Sequence, residues 1–394
     1  MNTNEPSTVR IGAIGAGSRL RAVLKLTLAE DPRLKLAAIY DPYAPSVDEA
    51  RALGADAQCC DQWESIIHDP DIDWVMIGSP NRYHAQQAIA ALDAGKHVFC
   101  EKPLATSFKD CLAVRDAVQR NKGLFVFGLV LRYSRHYQQL KQLLTQEDFG
   151  ELISFEFNET LRFGHGGYIF GNWRRHTCEA GSHILEKTCH DLDLANWMTG
   201  SLPVRVASFG GRRFFLPKHA VIAEELGPDE QGRPAFQAWP DPLRVDPFAG
   251  DTDLLDHQVV ILEYANGVRA TFHTNAASGL PERRFYLCGT RGALRANVYS
   301  GEITYQPIAH NAQPNVLNHG RSDGHGGGDQ IMCAALAQTM LSDKPPLTSI
   351  HEALQSAVVA FAIDQAQTTG QVVDLRPMWR EAGVVLQECE TLKL

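Results

Sequence analysis

Residues 9–14, VRIGAI, form a short apolar run that breaks at Gly15-Ala16-Gly17, and the next stretch, LRAVLKLTLAE, has helical spacing up to Asp31-Pro32. The same alternation then repeats. A strand over Leu34 to Tyr40 ends at Asp41-Pro42, followed by a helix near 44–53, the strand WVMIGSP (74–80), a helix near 82–94, the strand HVFCEKP (97–103), a helix near 107–122 and LFVFGLV (124–130). Strands that alternate with helices cannot be joined by hairpins, so they predict an α/β, doubly wound parallel sheet.

The pattern changes after about residue 130. ISFEFNETL, VRVASFGGRRFF, HQVVILEYA, VRATFHTNA, RRFYLCGT and GALRANV are alternating or aromatic-rich runs with short turns between them, among them Ala265-Asn266-Gly267. They predict an α+β domain with an open, mostly antiparallel sheet. Helical stretches near 181–199 and 329–342 interrupt it, and another near 350–369 follows. A Pro-rich, strand-poor segment, 216–253, reads either as an insertion over the sheet or as a mobile loop. With 394 residues the chain exceeds one ordinary core, and the expected division is 1–129 and 130–394. The open sheet needs cover in water, so a homodimer or homotetramer is expected.

A net charge of −9 without a Lys/Arg-dense stretch argues against nucleic acid as a partner. The opening MNTNEPSTVR has no apolar leader and no run is long enough to span a bilayer, so the reading is a cytoplasmic protein without membrane partners. Nine scattered cysteines without CxxC spacing suggest reduced thiols, and no HxH, HExxH or Cys-rich cluster suggests a metal.

The glycine turn has the form of a dinucleotide cradle of the Rossmann type: Gly15 for the tight turn, Gly17 for close approach of backbone to a pyrophosphate, and Ser18 and Arg19 as donors. Leu20 stands where a third glycine is usual, which implies a wider crossing of helix and strand. Asp41, 24 residues beyond Gly17, is placed to hold both ribose hydroxyls and to repel a 2′-phosphate, favouring NAD over NADP. The plainer alternative is an ordinary turn, with Asp41 capping the next segment.

Ligands on such sheets bind beyond the carboxyl ends of strands, where Ser79, Asn81 and His84 follow one strand and Glu101-Lys102-Pro103 another. Some eighty residues later, GSHILEKTCHDLDLANW has the spacing of one amphipathic helix. There Glu186 and His190 are four apart, as are Lys187 and Asp191, so four ionisable side chains share a sector. A carboxylate beside an imidazole raises its basicity, as a general base requires; surface ion pairs are the alternative. A cradle, a lysine and a histidine together suggest hydride transfer to or from a hydroxyl.

VRIGAIGAG, the strand-end Asp41, SPNRYH, EKP and a helix with an acidic residue four before a histidine resemble the Gfo/Idh/MocA family of nicotinamide-dependent sugar and cyclitol dehydrogenases, over nearly the whole chain. VLRYS (130–134), GNWR (171–174), KTCHDLDLANW (187–197) and HGGGD (325–329) resemble one subgroup of generically described dehydrogenases within it. The resemblance implies that Lys102 orients the substrate hydroxyl, that His190 is the general acid/base, and that Glu186 stands where the family has aspartate. Lys187 becomes a second ammonium near the hydroxyl. Trp173 and Arg174 would lie near nicotinamide or sugar, and Arg162, His165, Tyr168, Asp191 and His325 near the substrate. Arg162, Arg174, Arg175 and His176 make the region locally basic, which admits an anionic sugar such as a uronate, unless local acids pair with them. Two other outcomes fit the same residues: an NAD-dependent glycosidase that oxidises, eliminates and re-reduces, and a sugar-sensing regulator without chemistry.

Overall fold

The computed structural model describes residues 8–387 and 389, except 242, 322, 323 and 343. The opening residues on which the leader reading partly rests lie outside it. The chain forms two compact units: one runs to Ser134 and also takes up Gly327–Leu354, and the other comprises Arg135–Gly326 and Gln355–Leu394.

The first unit alternates β1 (Val9–Ile14), α1 (Ser18–Glu30), β2 (Leu34–Tyr40), α2 (Ala44–Arg51), β3 (Gln58–Cys59), α3 (Trp63–His68), β4 (Trp74–Ile77), α4 (His84–Asp93), β5 (His97–Cys100), α5 (Phe108–Arg120) and β6 (Phe125–Phe127). All strand pairs are parallel, in the order β3-β2-β1-β4-β5-β6. The near-continuous apolar runs follow from this, because a parallel sheet is covered on both faces and buries Ile11, Val75, Ile77, Val98 and Phe99 alike. Strand β3 and helix α3 were not anticipated; β3 is only two residues long and exposed, so it carries no apolar signature.

The second unit contains α6 (Arg135–Leu144), β7 (Leu152–Arg162), α7 (Phe163–Phe170), α8 (Thr177–Ala180), α9 (His183–Glu186), α10 (Cys189–Thr199), β8 (Pro203–Gly211), α11 (Val221–Leu226), β9 (His257–Tyr264), β10 (Arg269–Ser278), β11 (Glu282–Gly289), β12 (Gly292–Asn297), β13 (Glu302–Pro307) and β14 (Asn315–Asn318). Helix α12 (Gly328–Ser342) belongs to the first unit. It is followed by α13 (Ile350–Thr369), within which the unit boundary falls, and by β15 (Val373–Asp374) and α14 (Arg376–Glu381) in the second. The nine-stranded sheet has the order β14-β13-β12-β11-β7-β10-β9-β8-β15, antiparallel except for β10 on β7. Its covered face is aromatic: Phe157 lies 4.6 Å from Phe272 and 5.4 Å from Phe285 between ring centroids, and Phe285 meets Tyr137 of α6. The other face stays open, with Phe209 directly opposite Val259 and Ala207 opposite Ile261; the three larger side chains are 69%, 48% and 54% exposed.

Two expectations are corrected and a third is narrowed. The helix near 329–342, expected among the later strands, packs within the first unit, where Asp329 binds Arg19 and Cys333 Sγ reaches the Val23 carbonyl. The run 181–199 is two helices split at Lys187-Thr188. The segment 216–253, read as an insertion or a mobile loop, contributes Phe236 and Phe248 to a separate apolar core with Phe170, Phe215 and Leu161, as an insertion would. Among the described residues no helix is long and apolar enough to cross a membrane, and no group of three or more His, Cys, Asp or Glu could hold a metal.

Candidate functional site

Gly15 adopts φ +82°, and a Cβ there would lie 2.3 Å from the Ser79 backbone nitrogen, so only glycine fits the turn. A Cβ on Gly17 would meet nothing within 4 Å; the space beside the turn is open. Gly17 is also the N-cap of α1, and no side chain caps that end, which leaves donors and the positive end of the helix dipole facing the gap. Asp41 closes the cradle: Oδ2 accepts from the Ala16 amide at 2.7 Å and Oδ1 from the Tyr43 amide at 2.8 Å. A carboxylate has about four lone-pair sites, so it can still accept two hydroxyls. These features fit a dinucleotide.

Leu20, in place of a third glycine, packs against the chain just past β4. It is fully buried, and the small residue it requires stands opposite: a Cβ on Gly78 would lie 2.7 Å from the Leu20 Cβ. Leu20 is thus a packing residue. The Arg19 side chain is likewise engaged internally, its Nε donating to Glu101 Oε1 at 2.8 Å and its Nη1 to Asp329 Oδ1 at 2.6 Å. Of Ser18 and Arg19, the expected phosphate donors, Arg19 thus has two of its five guanidinium N–H groups engaged by carboxylates.

The Lys102-Pro103 peptide is cis, and Lys102 is half-buried. Residues expected to touch a cofactor also brace this turn. His84 Nδ1 lies 2.7 Å from the Pro103 carbonyl and its Nε2 2.9 Å from the Ser79 carbonyl, while the Ser79 hydroxyl donates to Gln87 at 2.6 Å. Burial pushes the His84 pKa down, and the two carbonyls oppose that. Asn81 is buried in the short turn before α4.

In the second unit, Lys187 and Asp191 find partners on the sheet. Lys187 Nζ lies 2.8 Å from Glu159 Oε1 on β7. Asp191 accepts the fork of Arg283 on β11 at 2.8 and 2.7 Å, and Arg283 also lies 3.3 Å from Glu159 Oε2. Glu159 and Arg283 are directly opposed across the two strands. Two carboxylates and two cations are thus closed inside the unit with no exposed charge on Glu159, Asp191 or Arg283. Burial alone would raise the Glu159 pKa, but Arg283 and Lys187 hold it well below the usual carboxylate range. Burial pushes Asp191 up to about 7; the Arg283 fork opposes this and Glu159 adds to it.

This cluster locates two histidines. Asp191 adjoins His190, and Arg283 Nη1 donates to the Gly324 carbonyl at 2.8 Å, one residue before His325. The rings of His190 and His325 accordingly lie 5.9 Å apart. His190 is buried and His325 half-buried. Lys187 and Asp191, expected to meet substrate, also hold this arrangement.

Glu186 is tied to Arg174, whose Nε donates to it at 3.1 Å. Arg174 Nη1 also donates to the Tyr168 hydroxyl at 3.1 Å, and its guanidinium lies 4.1 Å from the Trp173 ring centroid. His165 and Tyr168 belong to α7, not to a loop. Glycines are costly in a helix unless something approaches closely; here a Cβ on Gly166 would meet the Ala276 carbonyl at 1.7 Å and one on Gly167 the Phe236 carbonyl at 2.2 Å. The local basic charge is met by acids of the 216–253 insertion: Arg175 pairs with Asp251 at 3.0 Å, and Asn172 donates to Asp241. Arg162 is exposed, 5.8 Å from the Phe163 ring.

Residues 9–129 match the family described as oxidoreductase, NAD-binding Rossmann fold, and residues 137–295 match the GFO/IDH/MocA C-terminal domain. The chain belongs to the GFO/IDH/MocA oxidoreductase family. As a family member it is an NAD-binding oxidoreductase. It is 26% identical to levoglucosan dehydrogenase of Pseudarthrobacter phenanthrenivorans over 302 residues, 73% of each chain. To 2,7-anhydro-N-acetylneuraminate hydratase of Escherichia coli it is 23% identical over 293 residues, 74% of this chain and 68% of that one. Inositol 2-dehydrogenase of Salmonella typhimurium is 29% identical over 195 residues, 48% of this chain and 54% of its own. In fold, levoglucosan dehydrogenase in complex with NADH and levoglucosan superimposes with a TM-score of 0.77 at 20% identity, covering 94% of this chain and 100% of that one.

Two members of the buried cluster in this family member, Glu159 and Arg283, escaped the sequence reading. The signal was present in the alternation, since Phe155, Phe157, Glu159 and Leu161 share one face of β7, and Arg283, Phe285 and Leu287 one face of β11. A charge at an inward position of an apolar strand must have a partner.

Proposed function

We propose that this protein reversibly oxidises a secondary hydroxyl of a sugar, glycoside or cyclitol, with His190 as general acid/base and Lys102 orienting the hydroxyl. The cradle carries the reading: an uncapped α1 terminus beside open space at Gly17, with Asp41 at the end of β2. The substrate class is supported by relatives named for levoglucosan and inositol. Bound NAD supplies the hydride acceptor. His190 removes the hydroxyl proton, and the Asp191–Arg283 fork beside it fixes the position of its helix. Tyr168, Arg174 and His165 offer hydrogen bonds to further hydroxyls. The first unit then serves the cofactor and the second the substrate, and the open sheet face with Phe209, Val259 and Ile261 serves homo-oligomer formation.

The Escherichia coli relative, named a hydratase, favours one second reading: oxidation, elimination and re-reduction with no net redox change. Substrate-dependent NADH accumulation supports the dehydrogenase; product release at constant NADH supports the alternative. His190→Ala should lower kcat by about 10²- to 10⁴-fold while NADH affinity stays within a factor of about three. Equal loss of both would show that His190 acts on the fold and not on the proton.

A further inference from the structure

The 216–253 insertion packs on an aromatic core. Phe170 and Phe215 stack at 4.2 Å, and Phe248 lies 5.5 Å from Phe215 and 5.0 Å from Phe236. Phe236 sits at φ +60°, a left-handed conformation that a bulky residue adopts at a cost and keeps only where its surroundings hold it. Its carbonyl occupies the space that Gly167 leaves on α7. Three residues later the insertion presents Trp239.

Trp239 is 44% exposed although a buried aromatic core lies beside it. Its indole meets His165 at 4.8 Å and Tyr168 at 5.0 Å, with interplanar angles of 86° and 75°. Two near-perpendicular partners fix its orientation. Further contacts follow: Arg174 donates to the Tyr168 hydroxyl and to Glu186, which ends α9 four residues before His190. The two arginines that follow Trp173 are paired, Arg174 with Glu186 and Arg175 with Asp251. An anionic substrate would have to compete with carboxylates already in place.

A rigid, half-exposed indole beside ion-paired hydrogen-bonding groups is suited to a carbohydrate ring. The C–H face lies on the aromatic surface, and the hydroxyls at the ring's rim bond to polar groups. We infer that Trp239 is a specificity-determining residue that stacks an uncharged sugar ring, so that the substrate is a neutral pyranose or pyranoside and not a uronate, sugar phosphate or sulfonate. This deepens the proposed function and rests on it for the chemistry, though not for the binding.

The test uses the full-length protein with NAD and a panel of neutral pyranoses, their methyl glycosides and the matching uronates, followed by titration calorimetry and by turnover. Neutral compounds should bind and the uronates should bind at least tenfold more weakly. Trp239→Ala should raise Kd and KM about tenfold, the loss expected for an aromatic stacking partner, while kcat changes by less than threefold. Trp239→Phe should recover most of the loss, and Leu243→Ala, an exposed side chain on the same insertion, should change nothing. Preference for uronates, an unchanged Kd in Trp239→Ala, or no binding of any neutral sugar to the wild type would each overturn the assignment. Binding that depends on Trp239 without net oxidation would uphold it while removing the dehydrogenase reading.

Discussion

Arg283→Met tests the buried cluster most directly. The guanidinium is fully buried and donates to Asp191 twice, to the Gly324 carbonyl once, and lies 3.3 Å from Glu159. Removing it leaves two buried carboxylates facing Lys187 alone. Breaking a buried pair in this way costs about 3–5 kcal/mol, because the surviving charge is neither hydrated nor paired. The second unit has about 230 residues, for which each kcal/mol moves the melting temperature by roughly 2–4 °C, so its transition should fall by about 6–20 °C. The loss should depend on pH. Asp191 has a pKa raised to about 7 by burial, and a carboxyl raised in the folded state favours folding at low pH and loses that contribution as pH rises through the folded value. Without Arg283 the value rises further, so the gap to wild type should widen from pH 5 to pH 8. Adding Asp191→Leu restores neutrality through Glu159 and Lys187, and the double variant should regain at least half of the loss. Melts followed by near-ultraviolet circular dichroism measure all three. A single variant within about 1 kcal/mol of wild type at pH 8, or additive losses in the double, would refute the reasoning, since pairs in one network couple by more than that.

Gly78→Ala should destabilise the first unit by about 1–3 kcal/mol through overpacking on Leu20, and Leu20→Ala should destabilise it by about 2–5 kcal/mol through a cavity. Combined, the two should cost at least 1 kcal/mol less than their sum by about the coupling expected of touching residues, as read from urea midpoints. The second unit should also lose stability at both ends of the pH range. Burial lowers His183 from 6.5 to about 4, so its contribution is complete above 6.5 and is lost as pH falls toward 4; Asp364, raised from 3.8 to about 7 by burial, loses its contribution as pH rises through 7. His183→Gln should flatten the acid limb of the melting profile and Asp364→Asn the alkaline limb.

What the sequence made legible follows the range of the physics. The parallel sheet was readable because its strands are buried on both faces and its turns carry glycine, proline and aspartate locally. The substitution at Leu20 was visible, but its compensation was not: Gly78 lies just past β4, and nothing in the local spacing connects the two. Helix α7 was hidden by its own glycines, which count against a helix until Ala276 and Phe236 are seen pressing on them. For the ionic residues of 186–191 the helical spacing suggested partners four apart, yet Lys187 and Asp191 found theirs on strands β7 and β11. Periodicity along one element cannot report a charge that the opposite layer supplies.

That choice of partners bears on why the cluster is ionic at all. Apolar side chains of similar volume would fill the space between β7, β11 and α10 at equal or lower free energy, since desolvating four charges costs much of what their attraction returns. Apolar packing, however, could not bond the Gly324 carbonyl, and it would leave the helix of His190 free to turn or slide by fractions of an ångström. The planar fork of Arg283 engages Asp191 at two points and Gly324 at a third, so one rigid group sets the neighbours of His190 and of His325 together. An Arg283→Lys variant separates charge from geometry: it retains the cation but lacks the fork. If geometry is the reason for the cluster, that variant keeps much of its stability and still loses turnover.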